Sequence, residues 1–169
     1  MIEVRPEEPR DAVRVFEINR RAFETEVEAK LVDVLRSQVD RLISLVAELD
    51  GEVVGHILFT PVTVEGGNAS LKTMGLGPMA VLPEFQRRGI GSKLVRVGLA
   101  ACRTLGEQAV FVVGHPEFYA RFGFELAAPK DLHFGDSACD PYFFVAELEP
   151  GALTGLSGSV AYHPAFSDA

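Results

Sequence analysis

The stretch of the chain that decides the fold is residues 79–92, MAVLPEFQRRGIGS, in which an apolar segment ends and a helix with apolar periodicity begins. The first backbone N–H groups of a helix have no partner within the helix, and the helix dipole is positive at that end. Gly89 and Gly91 lack a Cβ atom, so an anion can approach the main chain closely. Together with Arg87 and Arg88, these glycines predict a site for a phosphate or pyrophosphate group.

Two other phosphate-binding motifs do not fit this stretch. The G-x-x-x-x-G-K-[ST] loop requires a glycine directly before its lysine, whereas Lys93 follows Ser92. The G-x-G-x-x-G fingerprint requires a third glycine where this chain has Leu94. The residues alone leave two interpretations open: an anion-binding loop, or a glycine-rich turn that caps a helix beside two solvated arginines.

Outward from this stretch, the hydrophobic pattern alternates between helical and strand periods, which is typical of an α/β protein. Helices are predicted from residue 11 to about 23, from about 25 to 35, over 89–105 and over 116–121, with Thr25 as the N-cap of the second. Strands are predicted over residues 2–5, 42–49, 52–64, 70–82, 109–113, around 124 and over 142–148. Pro78 indicates an edge, a bulge or a place where two strands part. Residues 150–159 are predicted as a loop, and we expect a single domain over residues 1–169.

Three segments at matching spacing resemble the GNAT N-acetyltransferase superfamily. QRRGIG, residues 86–91, resembles its Q/R-x-x-G-x-G/A signature, and MAVLP, residues 79–83, is similar to the strand that leads into that loop. FYARFGF, residues 118–124, is similar to the downstream F-Y-x-x-x-G-F segment. The predicted element order also matches the family from residue 2 to about residue 148, and the chain looks most like the small bacterial single-domain members.

The resemblance implies a mixed, mostly antiparallel sheet of six to seven strands with splayed central strands and helices on both faces. It also implies acetyl-CoA as co-substrate, without a metal. The backbone of residues 79–81 would hold the pantetheine and the acetyl carbonyl, and residues 86–92 would hold the pyrophosphate. The cofactor-binding positions carried over in this way are Met79, Ala80, Val81, Gln86, Arg87, Arg88, Gly89, Ile90, Gly91 and Ser92.

The resemblance further implies that Tyr119 is the general acid that protonates the departing thiolate. The alternative is an aromatic side chain packed between Phe118 and Phe122. His115 follows a predicted strand where many relatives carry an asparagine that contacts CoA, and its alternative is a polar residue that closes the strand.

The general base is where the chain departs from the family pattern. Many relatives place a glutamate on the strand before the loop, but residues 70–81 contain no carboxylate. Glu24, Glu26 and Glu28, near the predicted break between two helices, are candidates, and their alternative is a solvated helix face. A chain of water molecules could also remove the proton, or the amine could bind already deprotonated.

Composition narrows the range of partners. The 169 residues carry a net charge of −8, which argues against a general nucleic-acid binder. The charged first residues and the short apolar runs predict neither a signal peptide nor a membrane helix, so we expect a cytoplasmic protein without a membrane partner. The two cysteines are too few for a disulfide framework or a zinc site, and the histidines lack metal-ligand spacing.

Together these features predict an enzyme that moves an acetyl group from acetyl-CoA to a primary amine, on a small molecule or a peptide, by direct attack in a ternary complex. The alternatives are a CoA-binding regulatory module without transfer activity and an acyltransferase that uses another short acyl-CoA. Both a monomer and a homodimer stay open.

The charge is unevenly distributed along the chain. Residues 84–106 hold five basic side chains against Glu84 alone, a net charge of +4, which leaves −12 for the remainder. The basic residues lie on the predicted anion-binding loop and its helix. The distribution therefore suggests an anionic cofactor there and a cationic amine attracted by the acidic remainder.

Overall fold

The segments on either side of the glycine-rich stretch form a strand and a helix in the computed structural model, which describes residues 1–168. The helices are α1 (Ala12–Phe23), α2 (Val27–Gln38), α3 (Ile90–Thr104), α4 (Pro116–Tyr119) and α5 (Ala165–Asp168). The strands are β1 (Ile2–Pro6), β2 (Ile43–Leu49), β3 (Glu52–Pro61), β4 (Thr63–Val64), β5 (Thr73–Val81), β6 (Ala109–Val113), β7 (Glu125–Leu126), β8 (Leu132–His133), β9 (Phe143–Glu147) and β10 (Gly158–Ala161).

Seven strands form the main sheet in the order β1-β2-β3-β5-β6-β9-β7. Strand β2 is antiparallel to both β1 and β3, and β9 is antiparallel to both β6 and β7. Strands β5 and β6 are parallel, with Thr73 opposite Ala109 and Leu76 opposite Val112. This arrangement confirms the predicted mixed, mostly antiparallel sheet.

A second sheet of three short strands, in the order β4-β10-β8, was not expected from the sequence. The prediction of one strand over residues 52–64 was wrong, because β3 ends at Pro61 and β4 belongs to the second sheet. Proline has no backbone N–H to donate to a ladder. The predicted loop over residues 150–159 was also wrong at its end, since β10 begins at Gly158.

The chain divides into two compact units. The first unit contains Met1–Thr60, Gly77–Ala101 and the residues from Pro164 onward, and the second contains Pro61–Leu76 and Cys102–His163. Strand β5 therefore supplies its first four residues to the second unit and its last five to the first.

Strand β3 shows how the first unit is layered, because successive side chains of a strand point to opposite faces. On one face, a Cβ atom on Gly55 would lie 3.1 Å from Leu94 Cδ1 of α3. On the other face, His56 Nδ1 lies 3.4 Å from Asn19 Nδ2 of α1. Helices thus cover both faces of this strand, as predicted.

A chain of buried polar contacts continues from His56. His56 Nε2 lies 2.8 Å from Ser44 Oγ, and the Ser44 hydroxyl donates to Glu7 Oε1 at 2.6 Å. Arg36 of α2 donates to the other oxygen of Glu7 at 2.6 Å. Because the serine hydrogen is directed at Glu7, the Nε2–H of His56 donates to the serine oxygen, and Nδ1 accepts from Asn19. Burial, and to a smaller extent the charge of Arg36, lowers the pKa of the His56 imidazole to about 3.

The core of the second unit lies against β6 and β9. Its buried members include Phe111 and Phe143, whose rings stack with centroids 5.5 Å apart. Val160 of β10 and Val64 of β4 belong to the same cluster, and Tyr162 packs against it. Two residues of the C-terminal segment, Val160 and Tyr162, therefore contribute to the packing of the second unit.

The break between α1 and α2 lies where the sequence places it, but its cap differs. Glu24 ends α1 in a left-handed conformation with φ of 60°. The N-cap of α2 is Glu26 rather than the expected Thr25. The hydroxyl of Thr25 still accepts a hydrogen bond from the Val27 N–H at 3.3 Å, so the two residues share the start of the helix.

Candidate functional site

The last five residues of β5 lead into the candidate anion-binding loop. The ladder that pairs β5 with β6 ends at Leu76, and the next residues are Gly77, with φ of 145°, and Pro78. The break that Pro78 indicated is therefore present at this position. Beyond it, Ala80 and Val81 are buried and Met79 is partly buried.

Backbone and side-chain hydrogen bonds hold the loop after β5. The Leu82 N–H donates to Val54 O of β3 at 2.9 Å, and a single 3-10 turn follows over Pro83–Phe85. The side-chain amide of Gln86 then reaches back and donates to Val81 O at 3.0 Å. Gln86 thus closes the loop onto the end of the strand, so its side chain has a structural partner.

Left-handed backbone positions turn the chain from this loop into α3. Arg87 has φ of 64° and Gly89 has φ of 82°, and nothing lies within 4 Å of the position that a Cβ atom would take on Gly89. The Lys93 N–H donates to Gly89 O at 3.0 Å, which closes the first turn of the helix. The backbone around Gly89 is therefore open to a ligand at the positive end of a 15-residue helix.

The side chains of the loop differ in what they can contribute. Arg87 and Arg88 are exposed, and the Arg88 guanidinium lies over the Phe85 ring, 5.4 Å from its centroid. Arg87 has no ion-pair partner among residues 1–168. Ile90 is fully buried against the Gly55 side of β3, so only its backbone faces the loop. The arrangement combines exposed cationic side chains with main-chain donors, as a phosphate site requires.

An ion pair, which sequence reasoning missed, connects α1 to the loop. The Arg21 guanidinium donates to both carboxylate oxygens of Glu84, at 2.9 and 3.0 Å. A hydrogen bond from its own backbone N–H, and then the bond from Arg21, hold the pKa of the Glu84 carboxyl below its usual value. The two residues are far apart in sequence, so no local pattern could have indicated the pair.

An open pocket of about 570 Å³ lies at the junction of α1 and α2. It is lined by Arg20, Arg21, Glu24, Thr25, Glu26 and Pro83. Two of the three candidate bases, Glu24 and Glu26, therefore line a pocket that also touches the loop residue Pro83. Glu28 does not line it and instead accepts a hydrogen bond from Thr25 Oγ at 3.1 Å.

The carboxylates of Glu24 and Glu26 differ in whether they have a partner. Glu26 forms an ion pair with Lys30 at 3.3 Å, one helical turn later. Glu24 has no ion-pair or hydrogen-bond partner for its carboxylate within residues 1–168. Glu24 is thus the carboxylate of this pocket that is available to a ligand.

Tyr119, the candidate acid, belongs to the second unit and ends α4. Its side chain is 8% exposed, and its ring meets those of Phe118 and Phe124 edge-on at 4.9 and 5.6 Å. A Cβ atom on Gly114 would lie 2.3 Å from Tyr119 Cε2, so only glycine fits beneath this ring. Burial raises the pKa of the phenol to about 12. Tyr119 is therefore packed, with Phe124 rather than Phe122 as its second aromatic neighbour, and is protonated at neutral pH.

His115 precedes α4 and is exposed. Its carbonyl oxygen accepts hydrogen bonds from the N–H groups of Phe118 and Tyr119, both at 3.2 Å. Its imidazole has no side-chain cap bond to the helix. The histidine is therefore the N-cap residue of α4, and a contact with CoA stays a prediction.

Among residues 1–168, no group of three or more His, Cys, Asp or Glu side chains is arranged to hold a metal ion. No helix within the same residues is long and apolar enough to cross a membrane.

Comparison with known proteins matches residues 3–127 to the family model of the acetyltransferase (GNAT) domain. The Escherichia coli K12 protein named uncharacterized N-acetyltransferase YhbS is 39% identical over 165 residues, which cover 97% of this chain and 98% of that protein. The uncharacterized N-acetyltransferase YjhQ of the same organism is 43% identical over 120 residues, 70% of this chain and 66% of that protein.

Two solved structures are similar over almost the full length. The Escherichia coli YhbS crystal structure in complex with CoA has a TM-score of 0.91 at 39% identity and covers 98% of this chain and 92% of its own. A GNAT family acetyltransferase from Brucella melitensis in complex with acetyl-CoA has a TM-score of 0.80 at 36% identity and covers 98% of both chains.

Proposed function

Because the chain belongs to the GNAT acetyltransferase family, we propose that it transfers the acetyl group of acetyl-CoA to a primary amine by direct attack within a ternary complex. That it is an N-acetyltransferase follows from the family and from relatives that carry this name over nearly the whole chain. The donor, the acceptor class and the mechanism are the parts that we propose.

The observation that carries the proposal is the loop between β5 and α3. Open backbone around Gly89, the start of α3 and the exposed guanidinium of Arg87 suit the pyrophosphate of CoA. Two structures at 36% and 39% identity hold acetyl-CoA and CoA. We assign the main chain of residues 79–81 to the pantetheine and acetyl carbonyl, and residues 86–92 to the pyrophosphate.

In the proposed reaction the amine replaces the CoA thiolate on the acetyl carbon, without a covalent enzyme intermediate. The neutral amine attacks the thioester carbon and forms a tetrahedral intermediate, whose oxyanion a main-chain N–H near Met79 or Val81 would stabilise. The C–S bond then breaks, the amine nitrogen loses one proton, and the CoA sulfur gains one. We assign the role of general acid for the departing sulfur to Tyr119, whose hydroxyl is protonated at neutral pH.

Two kinds of group could accept the proton that the amine loses: a glutamate or a water molecule. Strand β5 carries no carboxylate, whereas Glu24 and Glu26 line the pocket at the α1–α2 junction. Either one of these glutamates or water takes the proton. The missing strand carboxylate is also the observation that favours the second candidate function, a CoA-binding module without transfer.

We place the reaction in the cytoplasm, a location supported by two cysteines that form no disulfide. The acceptor is proposed as a small-molecule or peptide amine. An acyltransferase that uses another short acyl-CoA is a further alternative, since one methylene changes discrimination by only about 1–3 kcal/mol.

The test is Tyr119→Phe, assayed by release of the CoA thiol with a broad panel of amines. Loss of the hydroxyl should lower kcat by about 100-fold, the usual order for removing a general acid, and leave the Kd of acetyl-CoA unchanged. Tyr142→Phe is the matched control, because Tyr142 is an exposed tyrosine of the same unit and should leave kcat unchanged. An unaltered kcat in Tyr119→Phe would remove the acid role, and a parent protein that binds acetyl-CoA but acetylates no amine would favour the module.

A further inference from the structure

The C-terminal strand β10 carries Tyr162 to the middle of β5. Val160 and Ala161 pair with Val64 and Thr63 of β4, and Tyr162 follows directly. A Cβ atom on Gly75 would lie 2.4 Å from Tyr162 Cε2 and 2.7 Å from its Cζ. The ring therefore occupies the space that any other side chain at position 75 would need.

The hydroxyl of Tyr162 is fixed by a hydrogen bond to β6, the strand next to β5. It donates to Phe111 O of β6 at 3.3 Å, and the Tyr162 ring meets Phe134 edge-on with centroids 5.2 Å apart. Gly75 and Phe111 are register partners, one step before the Leu76–Val112 pair at which the β5–β6 ladder ends. One side chain thus holds both strands just before they part.

The residue that follows β6 contacts the ring of Tyr119. Gly114, directly after β6, lies beneath the Tyr119 ring. Burial raises the pKa of the Tyr162 phenol, and negative charge on Tyr119 raises it further. Both phenols therefore keep their protons at neutral pH.

We propose that Tyr162 is a positioning residue for acyl transfer, whose hydroxyl bond to Phe111 O fixes the end of β6 and thereby the placement of Tyr119. The inference rests on the role proposed above for Tyr119. It assigns a part in the reaction to a residue that lies beyond residues 3–127, the range matched by the family model.

The first test needs no substrate. The chain contains three tyrosines, so protein labelled with 3-fluorotyrosine gives three ¹⁹F signals, which the three Tyr→Phe variants assign. Tyr162→Phe should shift or broaden the Tyr119 signal and leave that of Tyr142 in place. Tyr142→Phe, the matched control, should leave the Tyr119 signal unchanged. An unaltered Tyr119 signal in Tyr162→Phe would overturn the proposal.

The second test is kinetic. Tyr162→Phe should lower kcat roughly tenfold, as the loss of one ordered hydrogen bond allows, with the KM for acetyl-CoA unchanged. In a Tyr119→Phe background the same change should have no further effect, because the residue it positions is already disabled. An equal fall in both backgrounds, or no fall in the parent, would overturn the proposal. A parent that acetylates no amine would instead refute the proposed function, and the ¹⁹F result would still decide the placement.

Tyr162→Phe keeps the ring on Gly75, and its melting temperature shows whether it folds. If it does not, Phe134→Leu removes the ring that contacts Tyr162 but keeps the hydroxyl. This variant should displace both the Tyr162 and Tyr119 signals, and displacement of the Tyr162 signal alone would contradict the inference.

Discussion

The side-chain amide of Gln86 donates to the carbonyl oxygen of Val81, and the side chain of Ile90 is buried against β3. Both residues belong to the motif that the sequence assigned to the cofactor, yet their side chains stabilise the loop. What they can offer a ligand is backbone. Arg87 is different, because its guanidinium is exposed and has no ion-pair partner within residues 1–168. A motif therefore mixes residues that build the loop with residues that can face the ligand, and only their contacts separate the two.

His56 gives a prediction for stability against pH. Its folded-state pKa of about 3 lies below the ordinary value of 6.5, so between these values the unfolded chain binds a proton that the folded chain does not. Stability is therefore full above pH 6.5 and is lost as pH falls, by about 1.4 kcal/mol per pH unit. The pKa of His133 is raised by its hydrogen bonds to Asp140 and Asp131, so its contribution to stability has the opposite sign in this range. The share of His56 is therefore a difference: between pH 6.5 and 5.0, urea unfolding should show a loss about 2 kcal/mol larger in the parent than in His56→Gln. This window lies above the range in which carboxylates titrate.

The control for His56 is a variant without an ionisable group. His56→Gln should be less stable than the parent at pH 6.5, because the contacts with Ser44 and Asn19 are disturbed. Its stability should not show the loss that His56 causes between pH 6.5 and 5.0. The same pH-dependent loss in parent and variant would show that His56 is not the group responsible.

Among the elements, α3 can approach β3 closely because Gly98, the helix residue that faces the strand, has no side chain. A Cβ atom on Gly98 of α3 would lie 2.4 Å from Phe59 Cε1 and 2.5 Å from its Cζ, and Phe59 is fully buried. The helix whose first turn forms the candidate anion site thus approaches the strand closely. The close approach of this pair fixes where the helix begins relative to the end of β5.

Gly98→Ala tests this contact. Alanine favours a helix by about 1 kcal/mol over glycine, but overpacking a core costs roughly 1–3 kcal/mol. The ring of Phe59 cannot move away easily, so we expect a net loss in the free energy of unfolding. In a Phe59→Leu background the same change should cost less, since the ring is absent. A more stable Gly98→Ala protein would show that the contact is loose.

The long elements could be predicted from the sequence, and so could the short helix α4, whereas the two-residue strands β4 and β8 were missed. Helix α3 was predicted within one residue at each end, because its apolar stripe runs over four turns and Gly89 directly precedes it. Strands β4 and β8 have two residues each, too few to show a period of two. The place of Tyr162 follows from pairing between distant strands, for which the local sequence holds no signal.

At the scale of the whole molecule, positive charge is concentrated in one segment of an otherwise acidic chain. The loop and α3 region carries +4 within residues 84–106, and the remainder carries −12. Local charge of this kind concentrates an anion at its site even when the protein is acidic as a whole. Attraction of a cationic amine by the acidic remainder stays a prediction, which equal rates for cationic and neutral amines at all ionic strengths would contradict.

The basic region predicts a salt-dependent affinity for CoA. Raising the ionic strength should weaken CoA binding, measured by titration calorimetry, because mobile ions screen exposed charges. S-acetylpantetheine lacks the pyrophosphate, so its weaker binding should change little. Arg87→Gln should weaken CoA binding about 3- to 10-fold and reduce the salt dependence. Arg103→Gln, an exposed arginine at the far end of α3, is the control, and an equal loss there would point to net charge rather than to the loop.

The pairing of β4 with β10 also has a consequence for how the protein is made. The ribosome synthesises β4 and β8 before β10, which is the partner of both. Until β10 has emerged, neither segment has its partner strand, and the apolar residues beneath them stay accessible to chaperones. The second sheet, and Tyr162 with it, can therefore take its place only after residue 162 has left the ribosome.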